Sequence, residues 1–157
     1  MSDAKHTIDW HSVHFGLTKL EQNLKETQYK PKIIIGVGRG GLIPATLLAY
    51  KLNVKEVYNF SVQTYADDNT KSDSIITVQE PGGSLRDHLN DEILIVDDLS
   101  DSGVTLNYIK MFLIAHYGLK KVKTATLCIK DKTNFLPDYF ITQFPSTTWL
   151  VFPWEID

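Results

Sequence analysis

The segment Ile93-Leu94-Ile95-Val96-Asp97-Asp98-Leu99-Ser100-Asp101-Ser102-Gly103-Val104-Thr105-Leu106 constrains this chain more than any other. Its first four residues form an apolar, β-branched run of the kind that becomes a buried strand. Two carboxylates stand at the end of that run. Asp101-Ser102-Gly103 then turns the chain into a helix predicted from about Val104 to Tyr117, with Gly118 closing it. A charged pair at the end of a buried strand needs a partner. Free backbone N–H groups at a helix N-terminus bind a phosphate well, and the Ser102 and Thr105 hydroxyls can add hydrogen bonds. Gly103 lets the backbone come close. Adjacent carboxylates repel phosphate but suit sugar hydroxyls and a magnesium ion. The plainer alternative is a solvated acidic turn with a helix cap.

The rest of the chain supplies a frame for this turn. Asp9 can cap a helix whose Trp10, Val13, Leu17, Leu20 and Leu24 fall on one face. Pro31 ends that element. Ile33-Ile34-Ile35 with Val37 reads as a buried strand, Leu42 to Leu52 as a helix with Pro44 in its first turn, and Val54 to Val62 as a second strand. Residues 63–92 turn polar, with only Ile75-Ile76-Thr77-Val78 resembling a strand, and a connection of this length is often a functional lid. Val122 to Ile129 is another strand, followed by short apolar pieces around Tyr139-Phe140 and Trp149-Leu150-Val151-Phe152. Strands alternating with helices predict an α/β fold with a mainly parallel sheet, whose ligands bind at the carboxyl ends of the strands.

A second glycine loop, Gly36-Val37-Gly38-Arg39-Gly40-Gly41, satisfies G-x-G-x-x-G between a strand and a helix, with Glu56 about 20 residues on. The dinucleotide-binding reading fails on position. Glu56 lies near the start of its strand, whereas a ribose contact comes from the strand's end. That reading also leaves the Asp97-to-Thr105 loop unexplained. A close strand-to-helix turn without a ligand is the remaining alternative.

Composition narrows the function further. The 157 residues suit one domain, and a net charge of -3 offers no general basic surface for nucleic acid. Bound phosphate must therefore be held locally. The single cysteine, Cys128, lies in an apolar run and reads as a buried hydrophobe, so no intrachain disulfide forms. No apolar stretch approaches the ~20 residues of a membrane span, and a cytoplasmic protein is expected. His11 and His14 have a spacing that can bind metal, but no nearby cluster completes a site.

The Asp97-to-Thr105 stretch resembles the phosphoribosyl pyrophosphate (PRPP) signature of the type I phosphoribosyltransferases. Val37 to Pro44 is similar to the pyrophosphate loop of the bacterial xanthine-guanine members. The likeness continues through Thr64 to Lys71, Leu127 to Lys130, and Thr148 to Glu155, so it spans the chain from about Lys32 onward. It implies that fold: a twisted, mainly parallel sheet flanked by helices, a mobile lid at about 63–92, and a base-binding C-terminal hood at about 130–157. It implies purine salvage, in which ribose 5-phosphate passes from PRPP to guanine, xanthine or hypoxanthine, releasing pyrophosphate. The products are that pyrophosphate and a nucleoside monophosphate. Mg²⁺ is the implied cofactor, and a homodimer or homotetramer the implied assembly.

The resemblance also distributes roles. Asp97 and Asp98 would hold the ribose hydroxyls, with Asp98 and Glu155 turned toward metal. Asp101 would be the general base that accepts the purine imidazole proton. Ser102, Gly103, Val104 and Thr105 would cradle the 5-phosphate. Gly38, Arg39 and Gly40 would grip pyrophosphate, with a non-proline cis peptide at Gly38–Arg39. Lys71 would add a basic group from the lid, or be only an exposed loop lysine. Tyr65 would close over the reacting centre. Lys130 has donors only, so it fits a purine 6-oxo group and not a 6-amino group; a surface lysine is the alternative. Trp149 could stack on the base, or belong to the core, and Leu150 could offer its backbone. Two departures are mild: Ser102 stands where many members have threonine, and Gly38 where some carry serine. A regulatory protein of the same fold, sensing PRPP or nucleotides while binding RNA or DNA, is the competing function. The retained Asp101 and Lys130 favour the enzyme.

Overall fold

The computed structural model describes residues 4–66 and 73–155, with the side chains at 65, 66 and 73 left aside. Its centre is β2 (Ile33–Val37), in which all five residues are buried. β2 pairs in parallel with β3 (Glu56–Ala66) on one side and β5 (Glu92–Ser100) on the other. The sheet continues through β6 (Lys121–Lys130) and β7 (Tyr139–Phe144), giving the order β4-β3-β2-β5-β6-β7. Among the described residues, only the edge strand β4 (Asp73–Gln79) runs antiparallel, against β3.

Both faces of the sheet are covered, which is why β2 has no polar position. α1 (Trp10–Glu26) and α2 (Leu42–Leu52) cover one face, where Leu17, Leu20, Leu24 and Leu48 meet Ile34, Leu94 and Val96. α3 (Val104–Tyr117) covers the other, where Leu106, Ile109 and Leu113 meet Ile33, Ile35, Ile93 and Ile95. Each fully buried aliphatic side chain contributes about 1.5–3 kcal/mol. The predicted caps are present. Asp9 Oδ1 accepts from the Ser12 N–H at 2.8 Å, and Gly118 ends α3 with φ 74.

Three expectations need correction. Trp10 shares the α1 apolar spacing but is 49% exposed, resting edge-on against Trp154. The β5 strand does not stop at Val96. Its pairing with β6 continues at Asp97–Thr126, Leu99–Cys128 and Ser100–Ile129, so the acidic pair lies inside the strand. Segment 63–92 holds more regular structure than one strand: the end of β3, all of β4 and a 3-10 turn at Gly83–His88. The structure also adds a strand that the sequence does not signal, β1 (Ala4–Thr7), which pairs in parallel with β8 (Thr148–Val151). All four β1 residues are exposed, so no apolar alternation marks it.

Candidate active site

The two glycine-containing turns open at the same end of adjacent strands. The β2–α2 loop follows Val37 and the β5–α3 turn follows Ser100, while Glu56 sits at the opposite end of β3 beside His88. The dinucleotide reading therefore has no carboxylate at the crevice from Glu56.

Close packing explains the glycines of the β2–α2 loop. A Cβ on Gly41 would lie 2.7 Å from both the Val37 and Val96 carbonyls and 2.9 Å from Asp97 Cα. A Cβ on Gly40 would fall on the Asp98 carboxylate, and one on Gly38 would lie 2.6 Å from Ser61 Oγ. The Gly38–Arg39 peptide is cis, and the Gly38 N–H donates to Phe60 O at 3.1 Å. Arg39 is exposed and forms no ion pair among the described residues.

Asp98 faces this loop. Together with Arg39, Gly40, Ile43, Trp154 and Glu155 it lines a cavity of about 590 Å³. Asp97 lies deeper, only 9% exposed, and its Oδ1 accepts from the Asp98 N–H at 2.8 Å. Burial, reinforced by the charge of Asp98, pushes the Asp97 carboxyl well above the usual carboxylate range. Burial also raises Asp98, and the nearby Glu155 charge adds to it. A buried acid beside a half-buried one, with no ion-paired base among the described residues, is a costly arrangement that a cation or hydroxyl donors would relieve.

The β5–α3 turn forms a smaller hollow of about 100 Å³, lined by Asp97, Ser100, Asp101, Ser102, Gly103 and Thr105 among others. Gly103 adopts φ 89 and sits 2.7 Å, at its would-be Cβ, from Phe135 N. Both the conformation and the space require glycine. No side chain caps α3 at Gly103. The Val104 N–H reaches Ser102 Oγ at 3.3 Å, and Thr105 and Leu106 of the first turn line the hollow. Asp101 and Ser102 are exposed at its mouth.

The third element is the hood. Lys130 ends β6 and is 5% exposed, and its ammonium donates to the Thr148 carbonyl. This ties the end of the sheet to β8, where Trp149 presents a ring that is 65% exposed. Leu150 is buried at 7% and pairs with His6 of β1. Cys128, two residues before Lys130, is buried and its thiol is pushed up to about 12, chiefly by desolvation. Lys71 and the Tyr65 side chain lie outside the described residues.

The family model of the phosphoribosyl transferase domain matches residues 8–157. The chain belongs to the phosphoribosyltransferase family. It is 30% identical over 156 residues to the xanthine-guanine phosphoribosyltransferase of Idiomarina loihiensis, covering 99% of this chain and 89% of that one. The crystal structure of a purine phosphoribosyltransferase from Pyrococcus horikoshii matches with TM-score 0.84 and 34% identity, over 98% of this chain and 95% of that chain. The Helicobacter pylori xanthine-guanine-hypoxanthine phosphoribosyltransferase shares the fold, with TM-score 0.81 at 23% identity, over 98% and 95% of the two chains. The α/β fold expected from the sequence is thus the fold of this family, and the chain is an enzyme of the phosphoribosyltransferase class.

Within this phosphoribosyltransferase the donor set suits magnesium. Asp98 and Glu155 bring hard carboxylate oxygens to one cavity, although Glu155 Oε2 also accepts from the Phe152 N–H at 2.6 Å. The described residues contain no cluster of three acidic, His or Cys groups able to hold a metal unaided. Trp154 falls inside the Thr148-to-Glu155 stretch that carries the resemblance, which gives it no role of its own. It lines the same cavity as Arg39 and Asp98 and stacks on Phe152 at 5.1 Å and 9°. Its place beside Glu155 was the available signal.

Proposed function

We propose that this enzyme salvages purines by transferring ribose 5-phosphate from PRPP to a 6-oxopurine, releasing pyrophosphate. The observation that carries the 6-oxopurine reading is the buried side chain of Lys130, whose ammonium is tied to the Thr148 carbonyl, next in the chain to Trp149. An ammonium has no acceptor, so it can meet a carbonyl oxygen and not an amino group. One of its donors is held by Thr148, which fixes its direction and leaves others for a ligand. Trp149 would stack on the base, and the Leu150 backbone would border its edge.

In this reading the β5–α3 turn holds the 5-phosphate on the N–H groups of Ser102 to Thr105 and on the Ser102 and Thr105 hydroxyls. Asp97 and Asp98 accept from the ribose hydroxyls. Gly38, Arg39 and Gly40 close on the pyrophosphate, where close backbone packing and the Arg39 charge stabilise the departing group. Asp101, exposed above the hollow, accepts the imidazole proton as the purine nitrogen attacks. Mg²⁺, held by Asp98 and Glu155 with substrate oxygens, would draw charge from the pyrophosphate. The chain forms one such domain, with a lid at about 63–92, where Lys71 and Tyr65 would cover the site, and a hood at about 130–157. A homodimer or homotetramer is in keeping with exposed Phe15 and Leu136, and a reducing cytoplasm with the lone buried thiol.

Ultraviolet detection of nucleotide formation from PRPP and Mg²⁺ tests this, with guanine, xanthine, hypoxanthine and adenine in separate reactions. Turnover of one or more 6-oxopurines and not adenine is expected. Turnover of adenine alone would overturn the base-site reading and keep the family. No turnover with any base would favour a sensor of PRPP or nucleotides built on this fold.

A further inference from the structure

The opposite end of the sheet carries a feature that the transfer reaction does not use. A cavity of about 600 Å³ opens between the C-terminal ends of α1 and α2, at the amino ends of β2 and β3. Lys25, Lys30 and Lys51 line it, and no carboxylate does. This is notable in a chain of net charge -3. Lys25 is partly committed to Glu21 at 3.1 Å, and each helix C-terminus adds roughly half a negative charge. The Glu92 carboxylate also lies close, accepting from the Lys30 N–H at 2.5 Å, and the Lys51 ammonium reaches Thr18 Oγ1 at 3.4 Å, but the Lys30 and Lys51 ammonium groups form no ion pair among the described residues and so retain charge for an anion.

The remaining lining is polar at the rim and apolar at the floor. Gln28 and Asn53 are the non-glycine residues with positive φ among those described, at 58 and 56. Glycine would take such helix-end positions more easily, yet here each carries a side-chain amide that can donate and accept. Leu52, Val54 and Pro31 form apolar wall. A neighbouring hollow of about 350 Å³ shares Asn53 and Val54, and adds Lys55 and Tyr50. Tyr50 is 82% exposed on a helix that buries Pro44, Ala45, Leu48 and Ala49.

We propose that these joined hollows form a second ligand site, remote from the transfer site, that binds an organic phosphate of the nucleotide class. Lys30 and Lys51 meet the phosphate as point charges, Gln28 and Asn53 meet the polar edge of the base, and the Tyr50 ring stacks on its face. Size supports a nucleotide over a bare ion, since the volume exceeds what phosphate alone fills. The proposal does not depend on which base the enzyme transfers.

Calorimetric titration of the full chain with adenosine 5′-monophosphate tests it, with inorganic pyrophosphate as the probe lacking a base. The wild-type chain is expected to bind one nucleotide at the basal cavity, in addition to any held at the transfer site. Lys30→Glu with Lys51→Glu removes one site per chain, or weakens it by at least tenfold, while turnover with PRPP is unchanged. The milder Lys51→Gln weakens it several-fold, and Tyr50→Ala weakens the nucleotide but not pyrophosphate. Wild-type stoichiometry and affinity in the double variant would overturn the proposal, as would an equal loss of both probes in Tyr50→Ala for its stacking part. Should the chain transfer no base at all, the count of sites lost to the lysine variants would still read this cavity alone.

Discussion

The β2–α2 loop and the β5–α3 turn sit at the same end of neighbouring parallel strands, and they are built by opposite means. The first depends on missing side chains: Gly38, Gly40 and Gly41 let backbone press against Ser61, Asp98 and the Val37 and Val96 carbonyls. The second, with the end of β5 that leads into it, depends on groups that carry charge or hydrogen bonds, namely Asp97 and Asp98 in the strand and Asp101, Ser102 and Thr105 after it, with one glycine at φ 89 to make the turn. The two are not independent. Gly40 abuts the Asp98 carboxylate and Gly41 abuts Asp97 Cα. A loop that works by shape is intolerant of added volume, whereas one that works by charge is intolerant of lost groups.

The largest expected effect comes from removing a single group in the charged turn. Asp101→Ala is expected to lower turnover by ~10²–10⁴-fold, while PRPP binding measured by calorimetry persists, because Asp101 is exposed and holds no other element in place. Unchanged turnover would remove Asp101 from its role. The matching test of the shape-built loop is Gly40→Ala. Its methyl group would displace the Asp98 carboxylate, and a shift of about 1 Å at a reacting centre costs ~10²-fold. Steady-state kcat should fall by that order, and thermal unfolding should show a loss of ~1–3 kcal/mol from overpacking. A fully active Gly40→Ala enzyme would show that the close approach at Asp98 is incidental.

How legible these regions were in the sequence follows the same division. The charged turn was legible because each residue type there has few other uses, and the helix from Val104 to Tyr117 lies where the glycine signals placed it. The elements α1 and α2 were legible from apolar spacing and from Asp9 and Pro44. Three features were hidden. β5 extends through Asp97 and Asp98 because its partner β6 continues alongside, which propensity within one strand cannot show. β1 is exposed along its length and exists only through pairing with β8, 141 or more positions away. Trp154 lines the Arg39 and Asp98 cavity while packing edge-on against Trp10 of α1, a long-range contact that no local pattern encodes.

A smaller effect is expected at the hood, where shape and charge meet in one residue. Lys130→Ala removes a donor to the Thr148 carbonyl and the proposed donor to the base. A hydrogen bond to a charged group is worth about 1.5–3 kcal/mol, so KM for 6-oxopurines should rise roughly 10- to 100-fold, with less change for any adenine activity. Equal losses across all bases would mean that Lys130 only holds β8 in place. Lys130→Arg sharpens the distinction: it keeps the charge but not the compact head, so partial rescue is expected for binding to Thr148 and little for the base.

The smallest effect concerns stability and runs in the opposite direction from the others. Asp97 is buried, adjacent to Asp98, and its carboxyl is held well above the usual range by desolvation first and by the Asp98 charge second. A carboxylate ionised in such a place at neutral pH opposes folding, since in the unfolded chain it ionises without penalty. Asp97→Asn removes that charge while its side-chain oxygen can still accept from the Asp98 N–H. Without ligand the variant should melt a few degrees above the parent at neutral pH, because ~1 kcal/mol corresponds to about 2–4 °C in a domain of this size. Saturating PRPP and Mg²⁺ should reverse the order, as the parent gains ribose contacts that the amide reproduces poorly. A variant less stable than the parent in both conditions would mean that Asp97 serves the fold, and the contrast between a shape-built loop and a charge-built one would then stop at Asp98.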